Sequence, residues 1–297
     1  MHPVRNFIRI LRTRSAPPLV ELKGSAMRYL LLIALLAAGK AAAADPAFER
    51  PAGPAMEVLA LLQKVTPTSS RDELQQTAAK GAAILTPQSP AAVTLTEVAT
   101  SDQSVDELQA KLGQVRDDLA FEPLREAELP ANFPTYTPPG VIELKIYPKN
   151  RRAVAKEFFP LFAHITRNKI AMTAPVRMEF DRNDAGELQQ ESMAFYYGDA
   201  DSGELGPDDN DSDVNTIADD GQSVVALGQR GRWNRKKVAH GEQLLRQWLK
   251  ANPKYEAVEG VVLMGYNSPM TPTARQFFEI QLPVIEASAE KRQPGGN

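Results

Sequence analysis

The side chains suited to chemistry are few in this chain. Its 297 residues include no cysteine, so disulfides, thiolate metal sites and thiol nucleophiles are excluded. Soft-metal chemistry is left to His2, His164, His240 and eight methionines, Met172 among them. His164 flanks a helical pattern in which Phe158, Leu161, Phe162 and Ile165 share an apolar face, a position from which an imidazole reaches a pocket edge. His240 falls off the Val238, Leu245 and Trp248 face of a second helical pattern and reads as a solvated residue. Asp208, Asp209, Asp211 and Asp213 crowd like a calcium loop. Val214, however, stands where that loop needs glycine, and Asp220 where it needs a closing glutamate, so a solvated acidic connection is the simpler reading.

Other classes recede on the same grounds. No G-x-S-x-G, H-E-x-x-H, P-loop or dinucleotide fingerprint occurs, and the chain is not expected to be an enzyme. With 34 basic and 37 acidic residues, the net charge of −3 argues against a nucleic-acid partner. Trp233, set among Arg230, Arg232, Arg235, Lys236 and Lys237, reads as part of a solvated basic loop that offsets the acidic connection before it.

The elements that position these residues follow from patterning. Residues 1–44 read as a leader: Arg28, an apolar run from Tyr29 to Ala38 and the small residues Ala42–Ala44 have the order of a secretory signal peptide, with Met27 an alternative start. The run is too short for a membrane span, so an exported protein, periplasmic or extracellular, is expected. Residues 45–130 read as helical. Ser70/Glu73 and Ser104/Glu107 fit capping boxes, and Val105, Leu108, Leu112, Val115 and Leu119 form a stripe that packs within its own domain. Ala92–Ala99 is expected to be a short strand. Residues 131–140, proline-dense, read as a linker, residues 141–285 as a second domain and residues 286–297 as a disordered tail. In that domain Ile142, Leu144 and Ile146 alternate with Glu143, Lys145 and Tyr147, and Arg151–Phe158 is expected to pair back as a second strand. Strand–strand–helix–strand–strand then occurs twice, the second copy opening near residues 213–218. Two ββαββ units predict an α+β fold: an antiparallel sheet curled toward a barrel, flanked by two helices, with a pocket between the repeats.

One segment is more specific. Lys169-Ile-Ala-Met-Thr-Ala-Pro-Val176 closely resembles the signature of the SOUL haem-binding family. Collinear similarities occur at Gly140–Pro148, Met193–Phe195, Val224–Ala226 with Gly231, Gly265–Pro272 and Phe278–Ile280, covering residues 135–285. The resemblance implies a distorted antiparallel barrel flanked by two helices. It also implies binding of haem or another tetrapyrrole, without a common catalytic reaction; a related fold occurs in small-molecule effector-binding domains. Haem needs an apolar slot, groups for its propionates and, optionally, an axial ligand. The candidates are Phe158, Phe162, Ile165 and Met172 for the slot, Arg167 and Lys169 for the propionates, and His164 for iron. The family pattern is aromatic at the His164 position, so the resemblance does not itself transfer a ligand. The octapeptide reads mainly as a structural signature. Two alternatives keep the fold without haem: an interaction module acting through the N-terminal helices, and a binder of another hydrophobic ligand between the repeats.

Overall fold

The computed structural model describes residues 47–258 and 260–287. The leader expected over residues 1–44 lies outside the described residues, as do residues 288–297 of the expected tail. Four helices come first: α1 (Pro54–Leu62), α2 (Arg71–Ile84), α3 (Pro90–Thr100) and α4 (Val105–Leu119). Both capping boxes form, with Ser70 and Ser104 accepting from the Glu73 and Glu107 amides while each glutamate reaches back to the cap. Leu108, Leu112, Val115 and Leu119 of α4 are buried with Leu62, Leu74 and Leu95 in one helical core. The expected strand at Ala92–Ala99 is instead the body of α3. Pro90 opens it at a position that needs no amide donor, and Ala91, Ala92, Leu95 and Val98 bury one helical face. The threonines that suggest a strand are accommodated because Thr94 and Thr96 donate to the carbonyls four residues back.

Ten strands form one antiparallel sheet. In chain order they are β1 (Ile142–Tyr147), β2 (Asn150–Ala155), β3 (Val176–Arg182), β4 (Leu188–Tyr196), β5 (Gly206–Asp208), β6 (Asp211–Asp219), β7 (Gln222–Arg230), β8 (Tyr255–Ala257), β9 (Val261–Gly265) and β10 (Phe277–Glu286). Helix α5 (Phe158–Arg167) precedes β3, and α6 (Arg235–Ala251) follows β7. The sheet order is β1-β7-β10-β9-β3-β4-β2-β6-β5, with β8 added beside β10. Setting β5 aside, the order reads the same from either end when the two repeats are exchanged. The sheet stays open, with β1 and β5 at its ends, so the barrel expected from sequence is distorted and not closed.

That symmetry corrects the expected β1–β2 hairpin. β1 pairs with β7 and β2 with β4 and β6, so the first strand of each repeat joins the second strand of the other. Pro148, which has no amide to give a hairpin ladder, sits at the turn between them.

The two helices that follow β2 and β7, α5 and α6, lie on one face of the sheet. Val238, Leu245 and Trp248 of α6 pack with Met178, Phe180, Phe278 and Ile280; Leu161 and Ile165 of α5 pack with Ala153, Phe195 and Val214. The opposite face is covered by the chain itself. Phe133 and Tyr136, from the segment read as a linker, pack with Phe48, Tyr147, Tyr196, Tyr266 and Phe277. The segment lies so close to β7 that a Cβ at Gly228 would overlap the Thr137 carbonyl.

The second half of β1 turns its apolar residues outward, while Ile142 at its start is buried. Leu144 and Ile146 are 38% and 72% exposed, while Lys145 and Tyr147 are buried. The reason is Glu279 on β10, whose side chain is fully buried. Its carboxylate accepts from Lys145 Nζ (2.9 and 3.2 Å), the Thr137 amide (2.8 Å), the Tyr266 hydroxyl (3.0 Å) and Gln281 Nε2 (2.6 Å). Burial pushes the Tyr266 phenol well above its usual range, so it stays a donor. Removing one partner from a buried ion pair leaves an uncompensated charge. Lys145→Met is expected to cost about 3–5 kcal/mol in urea unfolding, with Glu279→Gln on top recovering part of it. A loss near zero for the single variant would contradict this role.

Candidate functional site

The signature octapeptide begins as a helix stop. α5 ends at Arg167, Asn168 caps it, and Lys169 takes a positive φ of 55°. The Ile170 amide bonds the Ile165 carbonyl (2.8 Å) and the Lys169 amide bonds that of Thr166 (3.3 Å), the paired bonds of a Schellman turn. Ile170 and Ile165 then meet in one apolar cluster, as that turn favours. Further on, the Thr173 hydroxyl donates to the Tyr196 carbonyl (2.7 Å) and the Ala174 amide to that of Glu128 (2.9 Å). The octapeptide therefore fixes the end of α5 and ties residues near 128 to the sheet.

The second motif ties down the same stretch. Asn267 Nδ2 donates to the Leu124 carbonyl (2.7 Å) while its Oδ1 accepts from the Phe277 amide (2.9 Å), and the Thr271 hydroxyl donates to Glu126 (2.7 Å).

His164 is buried in a polar cluster on the inner side of α5. Its Nδ1 meets Asp208 Oδ2, and its Nε2 meets the Tyr197 hydroxyl at 2.6 Å. The carboxylate places the proton on Nδ1 and leaves Nε2 to accept from the phenol. Thr216 Oγ1 stands 3.1 Å from that phenol oxygen, and Arg167 grips Asp208 with two contacts of 2.8 Å. Burial opposes charge on Asp208. The hydrogen bond with His164, then that of the Asn210 amide, then Arg167 outweigh it and hold the carboxyl below its usual range. Both ring nitrogens of His164 are thus committed to protein partners, and the sequence-expected iron ligand is the clasp between α5, the residue that follows β4 and the β5–β6 hairpin. Asp208, which reads in the sequence as one acid of a solvated loop, is the missed residue. No local pattern marks it, because its partners lie 44 and 41 residues away. Among the described residues no group of three or more acidic or histidine side chains is arranged to hold a metal ion.

The apolar candidates do come together. Phe158 and Phe162 stack (5.8 Å, 14°) and, half-buried with Ile170 and Met172, cover the cluster around Leu161, Ile165 and Phe195. Ile165 lies beneath them, buried. Lys169 is exposed at the same turn, and its ammonium makes no hydrogen bond or ion pair among the described residues, whereas Arg167 is already spent on Asp208. The face on which a pocket between the repeats is expected is covered: Phe48, Phe133, Tyr136 and Phe277 pack there, because residues 121–140 fold onto it. An open groove of about 850 Å³ lies elsewhere, along the outer side of α6.

A family model described as SOUL heme-binding protein matches residues 118–283, reaching further back than the sequence similarities did. The added stretch is the one that the Asn267 and Thr173 regions hold. No curated protein matches the chain. Among solved structures, the C-terminal domain of EcmrR is 14% identical over 49% of this chain and 98% of that one, with a TM-score of 0.37. EcmrR in its DNA complex is 13% identical with a TM-score of 0.39, over 49% of this chain and only 57% of that one. A Listeria innocua hydrolase is 13% identical over 50% and 94%, with a TM-score of 0.35.

The clasp has a pH signature. A carboxyl whose folded pKa is depressed stabilises the fold above its unfolded pKa, about 3.9, and that stability is lost as pH falls through the folded value. Asp208→Asn is expected to lower the urea midpoint at pH 7 and to flatten the decline in stability below pH ~4. Identical acid profiles for the variant and the parent would contradict the clasp.

Proposed function

This chain belongs to the SOUL heme-binding protein family, and from that premise we propose that it is an exported, non-catalytic binder of haem or a related tetrapyrrole, serving as a carrier, buffer or sensor. One observation carries the location: the half-buried strip of Phe158, Phe162, Ile170 and Met172 adjoins in the chain Lys169, whose ammonium has no partner among the described residues. A planar apolar ring gains by covering such a strip, at about 25 cal/mol per Å² removed from water, and aromatic faces stack on it. Lys169 meets a ring carboxylate by a charge-assisted hydrogen bond. Haem, when bound, supplies the planar ring and an iron centre. The residues of this face suit the ring and its carboxylates but give iron no free imidazole, because His164 is committed to Asp208 and Tyr197. Export rests on the order of charge, apolar run and small residues in the leader. No helix of the described residues is long and apolar enough to cross a membrane.

Titration with metal-free protoporphyrin IX, followed by its fluorescence, tests the reading. The parent chain is expected to saturate. Phe162→Glu is expected to weaken binding by roughly tenfold or more, and Lys169→Glu by a few-fold. An unsaturable signal, or a Phe162→Glu variant that binds like the parent, would overturn it.

A further inference from the structure

The net charge of −3 hides a separation of charge along the chain. Residues 199–220 hold nine acids and no lysine or arginine, whereas residues 232–254 hold seven lysines and arginines and one acid, Glu242. The two stretches do not neutralise each other. Among the described residues the acids pair with Lys149, Arg152 and Arg167 of the first repeat. Glu242 is held on both oxygens, by Arg182 at 2.6 Å and Arg246 at 2.8 Å. Nor do the stretches adjoin. β5 and β6 end the sheet, whereas α6 packs on β7 and β10, and four strands lie between β10 and β6. That is about 24 Å along the sheet, against a screening length of about 8 Å at physiological salt.

On α6 the cations are arranged on one side. Lys236, His240, Gln243, Gln247 and Lys250 recur at steps of four, three, four and three, so they share one exposed face, about 21 Å long. The helix under that face is seated firmly, because Gly241 lets it approach Ile280 where a Cβ would overlap. Trp233, in the basic loop before α6, is 36% exposed and rests its ring edge-on against Phe180.

We propose that this face docks the chain on an anionic phospholipid bilayer. Lysines at both ends of the stripe meet lipid phosphates on long stems, and the Gln243 and Gln247 amides donate to phosphate and glycerol oxygens. Trp233 at the margin has the amphipathic ring that settles at headgroup depth. The occupant follows from the charge separation. A flat anionic surface touches only the side turned toward it, so the acids at the far end of the sheet stay outside its screened field and orient the chain with α6 inward. A polyanion that wraps the chain would meet them. This docking goes beyond the tetrapyrrole reading and does not rest on it.

Co-sedimentation of the full chain with vesicles of phosphatidylglycerol and phosphatidylcholine, and with phosphatidylcholine alone, tests the face. The mixed vesicles are expected to bind the parent, to release it at about 0.5 M salt, and to shift Trp233 emission to the blue, Trp248 being already buried. Lys236→Glu/Lys250→Glu is expected to lower the partition coefficient roughly tenfold or more, while Phe162→Glu binds the vesicles as the parent does. Equal binding to phosphatidylcholine alone overturns the proposal. So does a double charge reversal that binds like the parent, which is also the result if the apolar run of the leader does the binding. Tighter binding of DNA or polyglutamate than of mixed vesicles, lost in the same double variant, overturns the choice of a lipid surface. Because Lys236 and Lys250 are exposed, their replacement leaves the fold in place, which circular dichroism checks.

Discussion

A single buried carboxylate organises the sheet side opposite the helices. Glu279 cannot be charged at full burial unless donors surround it, and they come from four parts of the chain: β1 through Lys145, the 130–140 segment through the Thr137 amide, the end of β9 through Tyr266, and β10 itself through Gln281. Because β1 belongs to the first repeat and β10 to the second, the ion pair also spans the exchange that makes the sheet order palindromic. Satisfying that carboxylate draws the segment at residues 130–140 onto the sheet, and with it Phe133 and Tyr136.

The functional consequence is where a ligand can go. With aromatic side chains covering one face of the sheet, the planar ligand is assigned to the opposite, helix-bearing side. The pseudo-symmetry gives the two helices equivalent places there, and their side chains differ in chemistry. α5 exposes stacked phenylalanines above a histidine that faces inward and is consumed by its clasp. α6 exposes cations and amides around a histidine that faces outward. The clasp under α5 is itself a positioning device, since Asp208, His164 and Tyr197 tie the helix to two strands and hold its outer aromatics in one orientation.

Local features were legible and distant ones were not. Both capping boxes and the α4 stripe follow from spacings within one or two turns, and all formed. The doubled strand–strand–helix–strand–strand order and the family signature were equally readable, because each is a property of contiguous residues. The β1 alternation identified two faces without saying which is buried; the answer depended on Glu279, 134 residues away from Lys145. The sequence left His164 open between an iron ligand and a partly buried boundary residue. A helix flank makes an imidazole available in sequence, but Asp208 and Tyr197, 44 and 33 residues distant, take both of its nitrogens. The proline-dense stretch read as a linker on composition, although Tyr136 within it was already the kind of residue that seeks a core.

Hydrogen exchange with and without metal-free protoporphyrin IX addresses the central claim directly, that the ligand sits on the helix side of a sheet whose other face is closed. The account predicts added protection in α5 and residues 168–176, with residues 130–140 and the β10 strand unchanged. Protection concentrated at residues 130–140 and β10 would contradict it, by placing the ligand between the repeats where Phe133 and Tyr136 now lie.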